Sequence, residues 1–499
     1  MGRRVEGKGK PCGQLYTNRR PQLSPVRFVA ACENGHIMDF PWTEWAHKKS
    51  DRTCDTGPGD LYLYSTPAAG LAGVRVGCVK CGLSNSMAGA FRKDMLAEIF
   101  GPRCPGLRPW LGPSAHEDCM KIPQTIQRGA SNAYFAKVVS SILIPPYSAR
   151  IRQTLDRSDV WEEILSLPLV NGKAHEPFLR AKAKNLGLDP DGFIQAVQER
   201  LEAENEGAGN LQDVTEERYR HDEYTAYLGP RPPQQERNDF DKRSIDASEY
   251  GTPFANLFEN VVLVRKLRET RVLTGFSRIV PPEALDGPPA QLSVSAKVWL
   301  PGFSVRGEGI FLQFRRDALD KWKVDVQVQE RVNKIVNRLA DMNQERGIAA
   351  RFLSPETLLV HTFSHLLIRQ LAFECGYDSS SLRERLYVSS APNAEMAGLL
   401  LYTASGDSEG TLGGLVRQGE PGRLEATIQA GMRNASICSS DPLCIESDGQ
   451  GLYSLNLAAC HACSLLPETS CEEGNLLLDR GLIVGTPENP KLGFFSGII

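Results

Sequence analysis

The sequence predicts an α+β, multi-domain protein in which zinc-knuckle modules near the two ends flank a mixed α/β core. Three observations lead there. Short β-branched and aromatic runs alternate with long helix-forming segments, and the cysteines gather in two groups far apart in the chain. A chain of 499 residues with 41% hydrophobic content can also fill several cores, roughly three domains at about 150 residues each. The expected divisions are a cysteine-rich zinc-binding region at 1–130, a mainly helical acidic middle at 131–260, a β-rich segment with a long helix at 261–350, and a C-terminal domain at 351–499.

VRFVAA, LYLYS, KVWLPG and GEGIFLQF read as strands. DKWKVDVQVQERVNKIVNRLADMNQERG has the length and mixed polarity of one exposed amphipathic helix. SPETLLVHTFSHLLIRQLAFECG is the clearest helix: Ser354 suits the N-cap, Pro355 the first turn, Glu356 the dipole and Gly376 the C-terminus. Leu358, Leu359, Phe363, Leu366, Leu367, Leu371 and Phe373 make it apolar on most sides, so it belongs in a core. ERLYVSSA and AGLLLYTASG then read as buried strands, followed by the glycine-rich turn DSEGTLGG.

The net charge of -3 excludes the strongly basic balance of a free-standing nucleic-acid coat. Seven Lys or Arg against the single Glu6 within residues 1–30 fit a nucleic-acid arm or, more simply, a solvated tail. Fourteen acidic against seven basic residues within 199–249 read as a linker or exposed helix. No run of 18 apolar residues occurs, and MGRRVEGKGK is not followed by a signal-peptide h-region, so a cytoplasmic protein with no membrane partner is expected. In that reducing compartment 13 cysteines point to metal rather than disulfides.

Cys460 and Cys463 form a C-x-x-C, Cys471 follows, and CSSDPLC supplies Cys438 and Cys444. The expected four-thiolate structural zinc site is Cys444, Cys460, Cys463 and Cys471, with Cys438 as the spare; an iron–sulfur cluster and no metal are the alternatives. Towards the N-terminus, Cys32 and His36 in CENGH pair with Cys78 and Cys81 in VGCVKCG as one plausible site. Cys54, Cys104 and Cys119, with His47 or His116, could make another, and Cys12 in KPCGQL stands as half a knuckle.

His361 and His365 lie at i and i+4 on one helix face, the spacing of helical zinc proteases, but Thr362, Phe363 and Ser364 intervene where a general-base Glu would stand. Hydrogen bonding to the core is the leading reading, and a ligand or polar relay role is the other. There is no GxxxxGK[ST] loop, no GxGxxG after a strand and no G-x-S-x-G elbow; RGEGIF is too short for a nucleotide loop.

RFVAACENGHIMDFPW, VGCVKCG with GAF, CPGLRPWLG, RGASNAYF, VRGEGIFLQF, HTFSHLLIRQLA and CSSDPLC, in that order, span most of the chain. Their combination resembles the DrmB family, the helicase-accessory proteins of DISARM anti-phage systems. The last third is similar to the zinc-binding domain of MrfA-like helicases. The resemblance implies a non-motor subunit that pairs with a separate helicase, DrmA, and helps it engage DNA. It carries the family's four-cysteine metal site onto Cys444, Cys460, Cys463 and Cys471, and leaves the roles of His361 and His365 open. This chain reaches RFVAACENGH by residue 27, sooner than the family does, so a shortened start is expected. A competing reading makes the protein a metal-dependent enzyme acting on nucleic acid through His361, His365 and carboxylates such as Asp407 or Glu409, which equally suit a solvated turn.

Overall fold

The computed structural model describes residues 25–48, 54–145, 150–166, 175–205, 215–234, 237–282, 285, 287–295, 297–346, 352–392, 394–403 and 414–498. Helices and sheets mix along the chain as the α+β expectation requires. The described residues form two compact units, one within 1–139, 272–302 and 346–348, the other within 140–271, 303–345 and 349–499.

The first unit contains β1 (Phe28–Ala31), β2 (Ile37–Asp39), α1 (Trp42–His47), β3 (Leu61–Ser65), β4 (Val74–Cys78), β5 (Ser84–Ser86), α2 (Ala97–Phe100) and β6 (Gln124–Gln127). Two three-stranded antiparallel sheets result, ordered β2-β1-β6 and β3-β4-β5. Sheets this small bury little by themselves, and the aromatic residues compensate: Phe40 sits 4.7 Å from Trp42 and 5.5 Å from Trp45, ring centroid to centroid. Gly35 turns the chain between β1 and β2 at φ 86°, where a Cβ would come within 2.6 Å of Ala290 Cβ, so CENGH needs its glycine.

The chain continues through β7 (Phe135–Ile142) into α3 (Arg150–Leu155), α4 (Ser158–Leu165), α5 (Glu176–Asn185) and α6 (Pro190–Asn205). These four helices close on their own core of Leu155, Trp161, Leu179, Phe193 and Val197. Then come α7 (Glu216–Leu228), β8 (Asp241–Asp246), α8 (Thr252–Ala255), β9 (Phe258–Ser277), β10 (Gly302–Phe314), α9 (Arg316–Lys323), α10 (Val326–Arg346), α11 (Pro355–Cys375), β11 (Leu382–Ser389), β12 (Met396–Thr403), α12 (Gly414–Gln418), α13 (Leu424–Ala435) and α14 (Gly481–Val484). A six-stranded sheet runs β11-β12-β10-β9-β7, with β8 on β9. Its β11–β12 hairpin is in register from Leu382↔Thr403 to Ser389↔Met396.

α11 forms as its sequence predicts. Ser354 Oγ accepts the Thr357 N–H at 3.2 Å, Pro355 opens the helix, and Gly376 closes it at φ 71°. Leu359, Phe363, Leu366, Leu367 and Leu371 sit in the largest core, and Phe363 stacks on Phe495 at 4.6 Å; Phe373, in the last turn, faces outward.

Three expectations change. KVWLPG forms no strand over 297–301, where Val298, Trp299 and Leu300 are exposed, and the sheet resumes at Gly302. The long amphipathic segment breaks into α9 and α10 at Val324–Asp325, where Asp325 Oδ1 accepts the Gln327 N–H at 2.8 Å and starts a new helix. The acidic stretch supplies a core element: Glu223 on α7 is buried and takes a bidentate contact from the buried Arg385 at 2.6 and 2.8 Å. Tyr387 Oη–H and the Ile142 N–H also donate to Glu223. Removing either partner of such a buried pair costs about 3–5 kcal/mol.

The two glycines of RGEGIF lie within β10. A Cβ on Gly307 would fall 1.9 Å from the Thr403 carbonyl oxygen, and one on Gly309 2.7 Å from that of Leu401. They serve close strand approach rather than phosphate binding.

Candidate metal centres

Four sets of His, Cys and Glu converge among the described residues, and within each set the donor atoms all lie within 4.8 Å of one another. The sets are Cys32, His36, Cys104 and Cys119; His47, Cys54, Cys78 and Cys81; Cys438, Cys444, Cys460 and Cys463; and His361, His365, Glu384 and Cys471.

In the first set the turn after β1 brings His36 Nδ1 to 3.2 Å from Cys32 Sγ. Cys104 and Cys119 arrive from a distant two-stranded bridge that pairs the two residues directly, and Cys119 Sγ lies 3.9 Å from Cys32 Sγ. The outer nitrogen of His36 contacts Glu117 Oε1 at 2.8 Å. That is how carboxylates orient ligating histidines. In the second set, the end of β4 and the following turn present Cys78 and Cys81. Helix α1 ends on His47, whose Nδ1 donates to the Thr43 carbonyl at 2.7 Å, leaving Nε2 3.2 Å from Cys81 Sγ.

The expected grouping of Cys32 and His36 with Cys78 and Cys81 is therefore split between two sets. Cys32 follows β1 of one three-stranded sheet and Cys78 ends β4 of the other, so separate sheets hold the pairs apart. Cys54, Cys104 and Cys119, offered as one further set, are divided in the same way. His47 joins Cys54, whereas His116 is exposed, hydrogen-bonds to the Ser114 carbonyl and belongs to no set.

At the C-terminal site Cys438, the expected spare, is a full member, and Cys471 is not. Asp441 makes the difference. Its carboxylate accepts the N–H groups of Cys438 and Ile445 at 2.7 and 3.1 Å, folding CSSDPLC into a loop that aims both sulfurs the same way. Arg480, buried, clamps that carboxylate at 2.7 and 3.0 Å. The Sγ atoms of Cys438 and Cys460, Cys444 and Cys463, and Cys460 and Cys463 are 3.5, 3.7 and 3.8 Å apart. Zn–S bonds of about 2.3 Å in a tetrahedron need edges of about 3.8 Å, so the donors fit zinc.

The thiols within a set are held unequally. Burial opposes ionisation of Cys460, but the Ala462 N–H and the Cys438 thiol outweigh it and bring the group to about 7. Burial pushes Cys444 well up, assisted by the charge of Cys463. The hydrogen bond from Cys32, helped against burial by His36, brings Cys104 to about 5, while the same contact and burial raise Cys32. For Cys78, burial is outweighed by Thr56 and by the N–H groups of Cys81 and Lys80, giving about 6. Confined like charges cannot all ionise together, and a dication is what would hold every sulfur as thiolate.

Cys471 sits instead against α11 and β11. Its Sγ is 3.2 Å from His361 Nε2, and Glu384 Oε1 is 3.3 and 3.6 Å from the Nε2 atoms of His361 and His365. His365 Nδ1–H donates to the Ser464 carbonyl at 2.8 Å. Both histidines are wholly buried, and one nitrogen of each ring meets a core neighbour. Glu384 had no signal in the sequence beyond an acidic residue on the apolar face of an alternating strand. Cys12 and the carboxylates Asp407 and Glu409 lie outside the described residues.

The comparisons with known proteins agree with this geometry. A domain of unknown function, DUF8724, matches residues 3–135, and the MrfA Zn-binding domain matches 363–464, a span that contains all four cysteines of the C-terminal set and ends before Cys471. Over 492 residues the chain is 32% identical to a DISARM protein DrmB of Bacillus paralicheniformis, covering 95% of this chain and 83% of that protein. With likeness extending through both units and a zinc-binding domain where the sulfurs converge, the chain belongs to the DrmB family of DISARM proteins.

Proposed function

We propose that this protein is a non-motor accessory subunit of its DISARM defence system, pairing with a separate DrmA-like helicase to engage DNA during phage restriction. The observation that carries the reading is likeness to a DISARM protein DrmB along nearly the whole chain. The sequence lacks a phosphate loop, so ATP hydrolysis falls to the partner. Zinc held by the thiolate sets acts structurally, because a closed tetrahedron has no open position for substrate and supplies folding energy, about 10 kcal/mol apparent per ion. The competing enzymatic reading requires substrate access to His361 and His365, both wholly buried.

The test is co-purification with the neighbouring helicase, together with its DNA-dependent ATPase measured with and without this chain. Stable pairing, a stimulated ATPase and DNA affinity that falls steeply with salt are expected. DNA cleavage by this chain alone, abolished by His361→Ala, would overturn the reading.

A further inference from the structure

We infer that His361, His365, Glu384 and Cys471 form a mixed-donor metal site, separate from the four-cysteine set and fitted to Zn²⁺. Four observations converge on it. The donors come from three segments and meet at tetrahedral distances: 3.2 Å from His361 Nε2 to Cys471 Sγ, and 3.3 and 3.6 Å from the two Nε2 atoms to Glu384 Oε1. Zn–N and Zn–O bonds of about 2.0–2.2 Å and a Zn–S bond of about 2.3 Å give tetrahedral edges of about 3.3–3.6 Å.

A hydrogen bond sets the proton of His365. The Ser464 carbonyl only accepts, so His365 carries its proton on Nδ1, and the neutral ring turns the lone pair of Nε2 inward. That Nε2 is buried and has no hydrogen-bond partner. A lone pair facing a carboxylate oxygen is repulsive unless a cation stands between them.

The sulfur is prepared in the same way. The N–H groups of Glu473 and Asn475 both point at Cys471 Sγ, at 3.3 and 3.2 Å. Two amide donors aimed at one sulfur favour its thiolate, the form that ligates a metal. Charge supplies the fourth observation. One carboxylate and one thiolate, with two neutral imidazoles, leave two negative charges that a single divalent cation neutralises. An uncompensated buried carboxylate would be costly. Glu384 Oε1 also accepts the Glu472 N–H at 2.9 Å, and Ser364 Oγ–H donates to its other oxygen, so the carboxylate is fixed in place.

All four ligands are buried, which makes the site closed and structural. It fastens the loop at 470–472 along β11, the edge strand of the large sheet, where Ser470 O accepts the Glu384 N–H and Glu472 accepts the Leu386 N–H. An edge pinned under a loop is closed to strand addition by other chains.

Anomalous diffraction at the zinc edge, on crystals of the intact protein as purified, tests the site without mutation. A peak bonded to the two Nε2 atoms, a Glu384 oxygen and Cys471 Sγ is expected, separate from the peak at Cys438, Cys444, Cys460 and Cys463. A peak at the four-cysteine set with none here would overturn the inference and leave the accessory-subunit reading standing. Stoichiometric iron or nickel in its place would overturn the zinc assignment. As a second measurement, Glu384→Gln and Cys471→Ser should each lower bound zinc by one equivalent per chain, and retention of the full wild-type content in both variants would also sink it.

Discussion

At the scale of single residues, charges buried in the large sheet are compensated in place. Glu269 is buried on β9, where it accepts Arg271 at 2.7 and 2.9 Å and Tyr402 Oη–H at 3.0 Å. Burial alone would raise its carboxyl, but Arg271 and Arg383 outweigh burial and hold it below the ordinary 4.5. A carboxylate with a depressed folded value contributes stability above the unfolded value, and that contribution is lost as pH falls through the folded one. Glu269→Gln is therefore expected to unfold in less urea near pH 7, by on the order of 1–3 kcal/mol. The gap to wild type should close below about pH 4.5. A gap that stays constant from pH 7 to pH 3 would contradict the assignment.

Among the elements, the helix break at Asp325 shows how a local signal decides an architecture. The amphipathic pattern from Asp320 to Gly347 is continuous, yet the Asp325 side chain satisfies an N–H that a continuous helix would bond to its own backbone. α9 and α10 then leave the break as separate helices, α9 contributing Leu319 to the core around Phe363 and α10 contributing Val328, Val332 and Ile335 to a second core. Asp325→Ala should cost about 1 kcal/mol, read as a lower urea midpoint at unchanged slope. No change in midpoint would show that packing, and not the cap, sets the break. The caps of α11 were legible because Ser354, Pro355 and Gly376 act within one turn of the residues they serve.

For the whole molecule, two units that each hold their own cysteine sets imply two unfolding transitions with separate metal dependence. In scanning calorimetry Cys32→Ser should lower the transition of the first unit and spare the second, and Cys463→Ser should do the reverse. A single transition shifted alike by both variants would mean that the units unfold as one. No helix among the described residues is long and apolar enough to cross a membrane.

The α+β class, the capped core helix, the C-x-x-C turns and the family were readable from the chain itself, because each rests on a pattern spanning a few turns or on the order of such motifs. Which sulfurs share an ion was not. Cys32 and Cys78 look alike in sequence, but separate sheets carry them to separate sets. Cys438 displaced Cys471 because Asp441 and Arg480, nearly forty residues apart, shape the loop between Cys438 and Cys444. Glu384 and Cys471 meet His361 and His365 only because β11 packs against α11 and the C-terminal loop lies along the sheet edge. Ligand identity within a turn is a property of local chemistry. Ligand grouping is a property of distances across the fold, which spacing along the chain does not encode.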